Sequence, residues 1–261
     1  MRSVKTLYAL MIYALLYLPI GVLILYSFNA SKYSTAWRGF TWDWYAKLWN
    51  NDGLIEAAMH SLTIATVSSV IATVIGTLGA VALYRYRFFG KGFLQSLIYI
   101  LIVSPEIVMG ISLLMLFAAF FLPLGFWSLL LAHVTLSLPF VIVTVASRLS
   151  GFDQSIIEAA KDLGAGEMKT FTAIILPNIL PAVIAGFLLS FTLSLDDVII
   201  SFFVTGPGYE ILPLKIYSMV RVGVKPEINA LCTIMFLFTI LMVLLSQFLM
   251  SRSTTPTKEK T

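Results

Sequence analysis

The sequence predicts an all-α membrane protein with six transmembrane helices and both termini in the cytoplasm. Hydrophobic residues make up 59% of the 261-residue chain and charged residues only 11%, whereas soluble domains carry about 25% charged residues. The mean hydropathy of +0.94 is too high for a surface that faces water on all sides. The basic residues lie between long apolar runs rather than in one stripe, so their excess does not indicate nucleic-acid binding.

Each predicted span is a run of about 20 mostly apolar residues, the length that crosses a bilayer. The first run follows Arg2 and Lys5 and is too long for a signal peptide. Segment 92–147 has one charged residue, Glu106, and is long enough for two helices, separated by a turn at 123–125. The spans of this single membrane domain, residues 1–261, cover about residues 7–27, 61–83, 94–121, 126–146, 178–200 and 228–250.

The distribution of Lys and Arg predicts the orientation. With the N-terminus inside, eleven of the 17 basic residues lie in inner segments and six in outer ones. Cytoplasmic loops of membrane proteins carry such an excess. The tight basic loop at residues 84–88 is its clearest instance. We therefore expect both termini in the cytoplasm.

The first outer loop, residues 29–60, carries four tryptophans at positions 37, 42, 44 and 49. One interpretation is a helix that lies in the headgroup layer, where Trp is enriched. The alternative is part of a docking face for an external partner. The outer loop at 205–225 is likewise either a turn between helices or the rim that receives a solute.

The inner connection, residues 148–177, predicts two short helices at a sharp angle on the cytoplasmic side. Ser155 and Glu158 have the spacing of an N-terminal capping box. Gly164 and Gly166 predict the end of the first helix. Its apolar residues are expected on one face, and a second amphipathic stretch should end before Pro177. They are Ile156, Ala159, Ala160 and Leu163 in the first helix, and Met168, Phe171, Ile174 and Ile175 in the second. Such a pair either rests on the lipid surface or fits a groove on a cytosolic partner.

The same connection carries a longer motif: Glu-Ala-Ala at 158–160, three residues, Gly164, nine residues, and Ile-Ile-Leu-Pro at 174–177. This run resembles the EAA motif of permease subunits of ATP-driven (ABC) importers at every defined position. In that family the motif helix docks into a cleft on a separate ATPase subunit. By resemblance, the ATPase-coupling residues are Glu158, Ala159, Ala160, Gly164, Ile174, Leu176 and Pro177.

Almost the whole chain resembles the second permease subunit of spermidine/putrescine importers. The stretches that carry this likeness are residues 82–88, 104–109, 194–198, 203–207 and 209–215. The resemblance implies a multi-pass protein of the bacterial inner membrane that works by alternating access. Its implied partners are a second homologous permease, a cytosolic ATPase dimer, a periplasmic solute-binding protein and a polyamine substrate, in a lipid bilayer.

Catalytic and metal-binding patterns are missing from the sequence. It contains no G-x-x-x-x-G-K-[ST] phosphate loop, so ATP and Mg²⁺ are expected on the partner ATPase and no cofactor on this chain. Cys232 is the only cysteine, and it should pack as a small apolar residue. His60 and His133 are isolated, and we expect both to have packing roles.

Three carboxylates, Glu106, Asp196 and Asp197, lie within predicted spans that contain no Lys or Arg. A charge near the bilayer centre costs about 2.5–3.5 kcal/mol, so a cationic solute is a natural partner. On straight helices Glu106 would lie about 18 Å and Asp196 about 27 Å from the inner surface. Pro105 should break or kink its helix, and Glu106 also suits the first turn of a restarted helix.

The remaining path candidates are weaker. Thr192 lies four residues before Asp196, which favours Asp196 over Asp197 as the solute-facing acid. Tyr99, Phe191 and Phe202 could bind ammonium groups over their rings, although each could also simply pack. Alternatives are an ABC permease for ferric ion, an amino-phosphonate or an amino acid, an autonomous cation-coupled transporter or channel, and a structural membrane scaffold.

Overall fold

The computed structural model describes residues 2–31, 36–222 and 226–253, and the side chains of these apart from residues 2–5, 222 and 242–253. The predicted outer-loop residues Lys32 and Lys225 and the basic tail with Lys258 and Lys260 lie outside the described residues. The helices are α1 (Arg2–Ser27), α2 (Asp43–Trp49), α3 (Asp52–Arg85), α4 (Lys91–Val103), α5 (Glu106–Ala119), α6 (Phe126–Leu149), α7 (Gln154–Asp162), α8 (Glu167–Thr170), a π-helical turn (Phe171–Ile175), α9 (Leu176–Asp196), α10 (Ile199–Val204), α11 (Leu212–Val222) and α12 (Pro226–Ser253).

The chain divides into two compact units. Residues 1–56 and 215–261 form the first, in which α1 and α2 both pack against α12. α1 exposes apolar side chains along its length, as a helix surrounded by lipid does. Trp44 of α2 is buried, and its indole N–H donates to the carbonyl of Asn29 at 2.7 Å. Trp37, Trp42 and Trp49 are exposed.

Residues 57–214 form the second unit, which is built around α6 and α9. One apolar cluster joins α3, α4, α6, α7 and α9, and includes Val141, Val145 and Ile179. Another joins α3, α5, α6 and α10, and includes Leu129, Ile200 and Val204. Small residues allow close approach, as is common between membrane helices: a Cβ on Gly76 of α3 would lie 2.7 Å from Val141 Cγ1 of α6.

The number of spans is confirmed only in part. Within the described residues α1, α3, α6 and the continuous helix Glu167–Asp196 are long and apolar enough to cross a membrane. The bent pair α4 and α5 makes a fifth if it is counted as one broken span. The part of α12 whose side chains are described, Pro226–Leu241, is apolar but shorter.

The helices that contain the second and fifth predicted spans have different bounds from those spans. The second span was expected to begin near residue 61, but α3 begins at Asp52, where the side chain of Asn51 accepts the backbone N–H of Leu54 at 3.2 Å. The fifth was expected to continue to residue 200, but α9 ends at Asp196 and α10 begins at Ile199.

The break predicted at Pro105 is confirmed and is sharper than a kink. α4 and α5 are bent by 115° at Ser104 and Pro105, which both have extended backbone. Proline disfavours helical conformation in the residue before it and lacks the N–H that a continuing helix needs. The turn predicted at residues 123–125 is confirmed between α5 and α6.

Candidate solute path and coupling loop

Glu106 lies in the first turn of α5, directly after the break. Pro105 contributes no N–H, but its carbonyl accepts the N–H of Met109 and begins the new helix. The Glu106 side chain is exposed on the surface of the isolated chain. A carboxylate in this position interacts favourably with the helix dipole, so both predicted roles of Glu106 are compatible with its location.

The adjacent acids Asp196 and Asp197 have opposite surroundings. Asp197 is buried, and its carboxylate accepts the backbone N–H groups of Ile200 and Ser201 at 3.2 and 2.8 Å. It also accepts the Ser201 hydroxyl at 2.6 Å. Asp196, the last residue of α9, is exposed. The Asp197 carboxylate therefore satisfies N–H groups in the first turn of α10, whereas the Asp196 side chain is exposed.

Glu106 and Asp196 lie close enough for their charges to interact. The sequence placed them at depths about 9 Å apart on straight helices. That expectation assumed straight helices, whereas the α4–α5 break redirects α5, which packs against α10 immediately beyond Asp196. Two helix breaks thus bring two exposed carboxylates to one region of the second unit.

The other predicted path residues are more scattered. Thr192 is exposed like Asp196, and its hydroxyl donates to the carbonyl of Leu188 at 2.9 Å. Phe202 of α10 is exposed, whereas Phe191 is half-buried and stacks on Phe187. Tyr99 of α4 is exposed beside a cavity of about 410 Å³ between α3, α4 and α6.

A buried polar network near the carboxylates was missed by the sequence analysis. His133 of α6 is fully buried, with Nδ1 2.6 Å from Ser194 Oγ and Nε2 2.9 Å from Ser201 Oγ. Ser194 Oγ also lies 3.2 Å from Ser68 Oγ of α3. The available signal was a histidine in an otherwise apolar span, together with serines three residues before and four residues after Asp197.

The N-terminus of α7 differs from the predicted capping box. Asp153 is the cap, and its carboxylate accepts the backbone N–H of Ser155 at 2.9 Å. Hydrogen bonds from the backbone and hydroxyl of Ser155 hold the Asp153 pKa below its usual range. The prediction that Ser155 is the cap is wrong because Asp is an equally good cap and lies two residues earlier.

The predicted helix end at Gly164 is confirmed. Gly164 has a left-handed φ of 78°, its N–H bonds the carbonyl of Lys161, and the N–H of Ala165 bonds the carbonyl of Ala160. This pair of bonds defines a Schellman motif, which favours glycine because other residues are strained at positive φ. Gly166 instead begins the next helix, with φ −68°.

The apolar residues of α7 fall on two faces rather than the single predicted one. Ile157 and Ala160 are buried against the second unit. Ile156 and Leu163 are exposed, Leu163 by 88%, and Met168 nearby is exposed by 74%. Glu158 and Ala159 are exposed as well. α7 is therefore anchored by one face and presents another apolar face outward.

The second predicted coupling helix is not a separate element. α8 continues through the π-helical turn into α9, so residues Glu167–Asp196 form one helix of 30 residues. Pro177 lies two residues after the end of the π turn, whose wider hydrogen-bond pattern accommodates the N–H that proline lacks. Ile174 and Leu176 are half-buried there, and Pro177 is exposed.

Ionic contacts join this loop to the end of α3. The guanidinium of Arg85 lies 2.7 Å from the carboxylate of Glu167, which also accepts the Tyr86 hydroxyl at 3.2 Å. The Tyr84 hydroxyl donates to the carbonyl of Phe152 at 3.1 Å. The loop is thereby positioned by the basic segment predicted to be cytoplasmic.

A family model described as the inner membrane component of binding-protein-dependent transport systems matches residues 72–255. The chain belongs to this family. The resemblance inferred from the EAA motif is therefore confirmed. The family comprises inner membrane transport components, which agrees with the several apolar spans of the structure.

Relatives of this transport component are similar over nearly their whole length. The spermidine/putrescine transport system permease protein PotC of Escherichia coli (strain K12) is 59% identical over 91% of this chain and 90% of that protein. The protein of the same name from Haemophilus influenzae is 54% identical over 94% and 95%. The putrescine transport system permease protein PotI of Escherichia coli (strain K12) is 43% identical over 92% and 88%.

Solved structures share the fold of this family member at low sequence identity. A chain from a bacterial ABC transporter involved in the import of the acidic polysaccharide alginate superposes with a TM-score of 0.74, at 16% identity over 97% of this chain and 98% of that one. A chain from the MetNI methionine ABC transporter gives 0.62, at 19% identity over 78% and 96%. The fold is that of an ABC importer permease.

Proposed function

We propose that the chain is a permease subunit of an ABC importer that carries spermidine and putrescine into the cytoplasm. The observation that carries the solute assignment is the pair of exposed carboxylates, Glu106 and Asp196, at two helix breaks. Support comes from the permeases for these polyamines that are 59% and 54% identical to this chain.

The charge pattern favours a cation. Segments 92–147 and 170–214 contain no Lys or Arg, so α5 and α9, which carry the two acids, contain no basic residue. Keeping such charges at membrane depth is costly unless a partner is supplied. A polyamine has several ammonium groups on a flexible chain and can contact both carboxylates at once, with Phe202 available for a cation–π contact.

ATP hydrolysis takes place on a cytosolic ATPase dimer, which binds ATP and Mg²⁺, and this chain acts as a non-catalytic subunit. The outward apolar surface formed by Ile156 of α7 and Leu163 at its C-terminus docks into the ATPase, and Glu158 is exposed on another side of α7. Closure of the ATPase dimer moves the loop and opens the path outward. Glu167–Asp196 connects the loop directly to the carboxylate.

Two further partners complete the assembly. A second homologous permease supplies the other half of the path, and a periplasmic binding protein delivers the solute. The complex of the alginate transporter with its periplasmic protein supports such an arrangement. The chain crosses the bacterial inner membrane six times as one permease domain, with the α4–α5 pair as the third span, α12 as the sixth, and both termini in the cytoplasm.

The test is uptake of labelled spermidine and putrescine by cells that lack their own polyamine importers and express the whole complex. Glu106→Gln and Asp196→Asn should each raise the apparent KM about tenfold, the effect of losing one interaction worth about 1.4 kcal/mol, at unchanged membrane levels. Asp162→Asn, an exposed acid at the end of α7, is the control with unchanged KM.

Other outcomes would support the alternative functions. Unchanged KM in both variants would refute the carboxylate path. Absence of polyamine uptake by the wild type would leave a permease for another solute, such as ferric ion, an amino-phosphonate or an amino acid. Uptake that persists without the ATPase would indicate an autonomous cation-coupled transporter.

A further inference from the structure

The buried network around His133 joins four helices. Ser68 of α3, His133 of α6, Ser194 of α9 and Ser201 of α10 are linked side chain to side chain at 3.2, 2.6 and 2.9 Å. The chain of contacts ends on the carboxylate of Asp197. These groups are 0–7% exposed, so no solute reaches them and a catalytic Ser–His–Asp role is excluded by access.

The direction of one bond follows from counting protons. The hydroxyl of Ser201 has a single proton, which it donates to Asp197 Oδ2 at 2.6 Å. Toward His133 it can therefore only accept, and Nε2 of His133 must carry the proton in their 2.9 Å bond. The same nitrogen lies 3.7 Å from Asp197 Oδ2. His133 thus donates into the group that holds Asp197.

The backbone at the break relates the position of Asp197 to the orientation of Asp196. Asp197 has extended backbone, with φ −64° and ψ 123°, at the point where α9 ends. Asp196 is still helical, where neighbouring side chains already point about 100° apart, and the chain leaves helical geometry at Asp197. Because the Asp197 carboxylate is held inward by Ile200, Ser201 and the network, Asp196 is directed outward, where it is exposed.

We propose that His133 is a positioning residue for solute binding: through Ser201 it holds Asp197 inward at the α9–α10 break and so holds Asp196 toward the solute path. The inference rests on the function proposed above, in which Asp196 binds the polyamine. His133 itself never touches the solute.

The experiment compares initial rates of spermidine uptake at increasing concentration in cells that express the whole complex. His133→Ala and Ser201→Ala should each raise the apparent KM about tenfold, which corresponds to a loss of about 1.4 kcal/mol of solute binding. Ser137→Ala is the matched control with unchanged KM. Ser137 lies one turn further along α6, is fully buried, and its hydroxyl has no hydrogen-bond partner among the described residues.

A conservative pair separates positioning from packing. A glutamine amide can place an N–H near the position of Nε2, whereas the shorter asparagine reaches only the position of Nδ1. His133→Gln should therefore restore a KM near that of the wild type, and His133→Asn should resemble His133→Ala. The double variant His133→Ala/Asp196→Asn should be no worse than Asp196→Asn alone, because both changes remove the same contact.

Two failures are distinguishable. Equal KM values for His133→Gln and His133→Asn would overturn the inference, whatever the stability of the alanine variant. An unchanged KM for Asp196→Asn in the same assay would refute the proposed function instead.

Discussion

Asp196 and Asp197 show how neighbouring residues acquire different roles. On a continuous helix their side chains would point about 100° apart, and sequence alone favours Asp196 only through its spacing from Thr192. In the structure α9 ends at Asp196, and the Asp197 carboxylate accepts hydrogen bonds from the first turn of α10. The groups around the Asp197 carboxylate include Ser201, beyond the break, and His133, which is distant in sequence, so the sequence alone could only favour one acid.

We expect the end of α7 to require Gly164, because this residue has a left-handed backbone conformation. Gly164→Ala places a Cβ on a residue with φ 78°, which costs about 1–2 kcal/mol of strain. The variant should therefore accelerate hydrogen exchange of the α7 amides by about 5–30-fold. It should also reduce uptake. Gly166→Ala is the matched control, because both glycines have open space where a Cβ would lie but Gly166 has φ −68°. Equal exchange rates in the two variants would contradict the strain argument.

Asp153 should make the α7 cap insensitive to pH in the neutral range. Its pKa is lowered from 3.8 by the backbone and side-chain hydrogen bonds of Ser155, so its stabilising effect is present above 3.8 and is lost only as the pH falls through the lower folded-state value. Asp153→Ala should therefore raise hydrogen exchange in the first turn of α7 at neutral pH. Asp153→Asn, which keeps a capping oxygen, should change it less. An alanine variant with wild-type exchange would show that the cap is dispensable.

Packing of α3 against α6 depends on a small residue at one turn. Gly76→Ala would put a Cβ 2.7 Å from Val141, and overpacking of this kind costs about 1–3 kcal/mol. The purified complex should then melt at a lower temperature. Gly79→Ala, on the same helix, places its Cβ 3.8 Å from Ile142 and serves as the control with unchanged melting. A Gly76→Ala complex as stable as the control would show that the helices shift apart without cost.

At the scale of helices and turns, the sequence predicted where helices end more accurately than where they continue. Pro105, Gly164 and the turn at 123–125 act through their own backbone preferences, and each break occurs where the sequence placed it. The continuity of α8 with α9 was missed because Pro177 normally indicates a boundary. Here the helix continues through Pro177 because a π turn precedes it. The size of the bend between α4 and α5 was not predicted, because no residue pattern encodes a bend angle.

For the whole molecule, the predicted orientation can be tested by thiol labelling. In a Cys232→Ser background, Trp49→Cys should react with a membrane-impermeant maleimide in spheroplasts, since Trp49 is 83% exposed and lies on the predicted outer side. Ser155→Cys, also exposed, should react only after the membrane is permeabilised. The reverse labelling pattern would show that the protein has the opposite orientation in the membrane.

The all-helical fold and the apolar spans were predictable because composition and run length determine which segments can enter a bilayer. The family was predictable from twenty residues, 158–177, because their spacing is specific. The division of the chain into two units was not, since α1, α2 and α12 come together from opposite ends of the sequence.

The uninterrupted helix from Glu167 to Asp196 also has a mechanical consequence. Thirty residues at 1.5 Å each give a length of about 45 Å, with Glu167, the partner of Arg85, at one end and Asp196 at the other. We therefore expect a displacement of the loop along the helix axis to move Asp196 in the same direction. The wide π turn, close to the Glu167 end, is where we expect this helix to flex most easily.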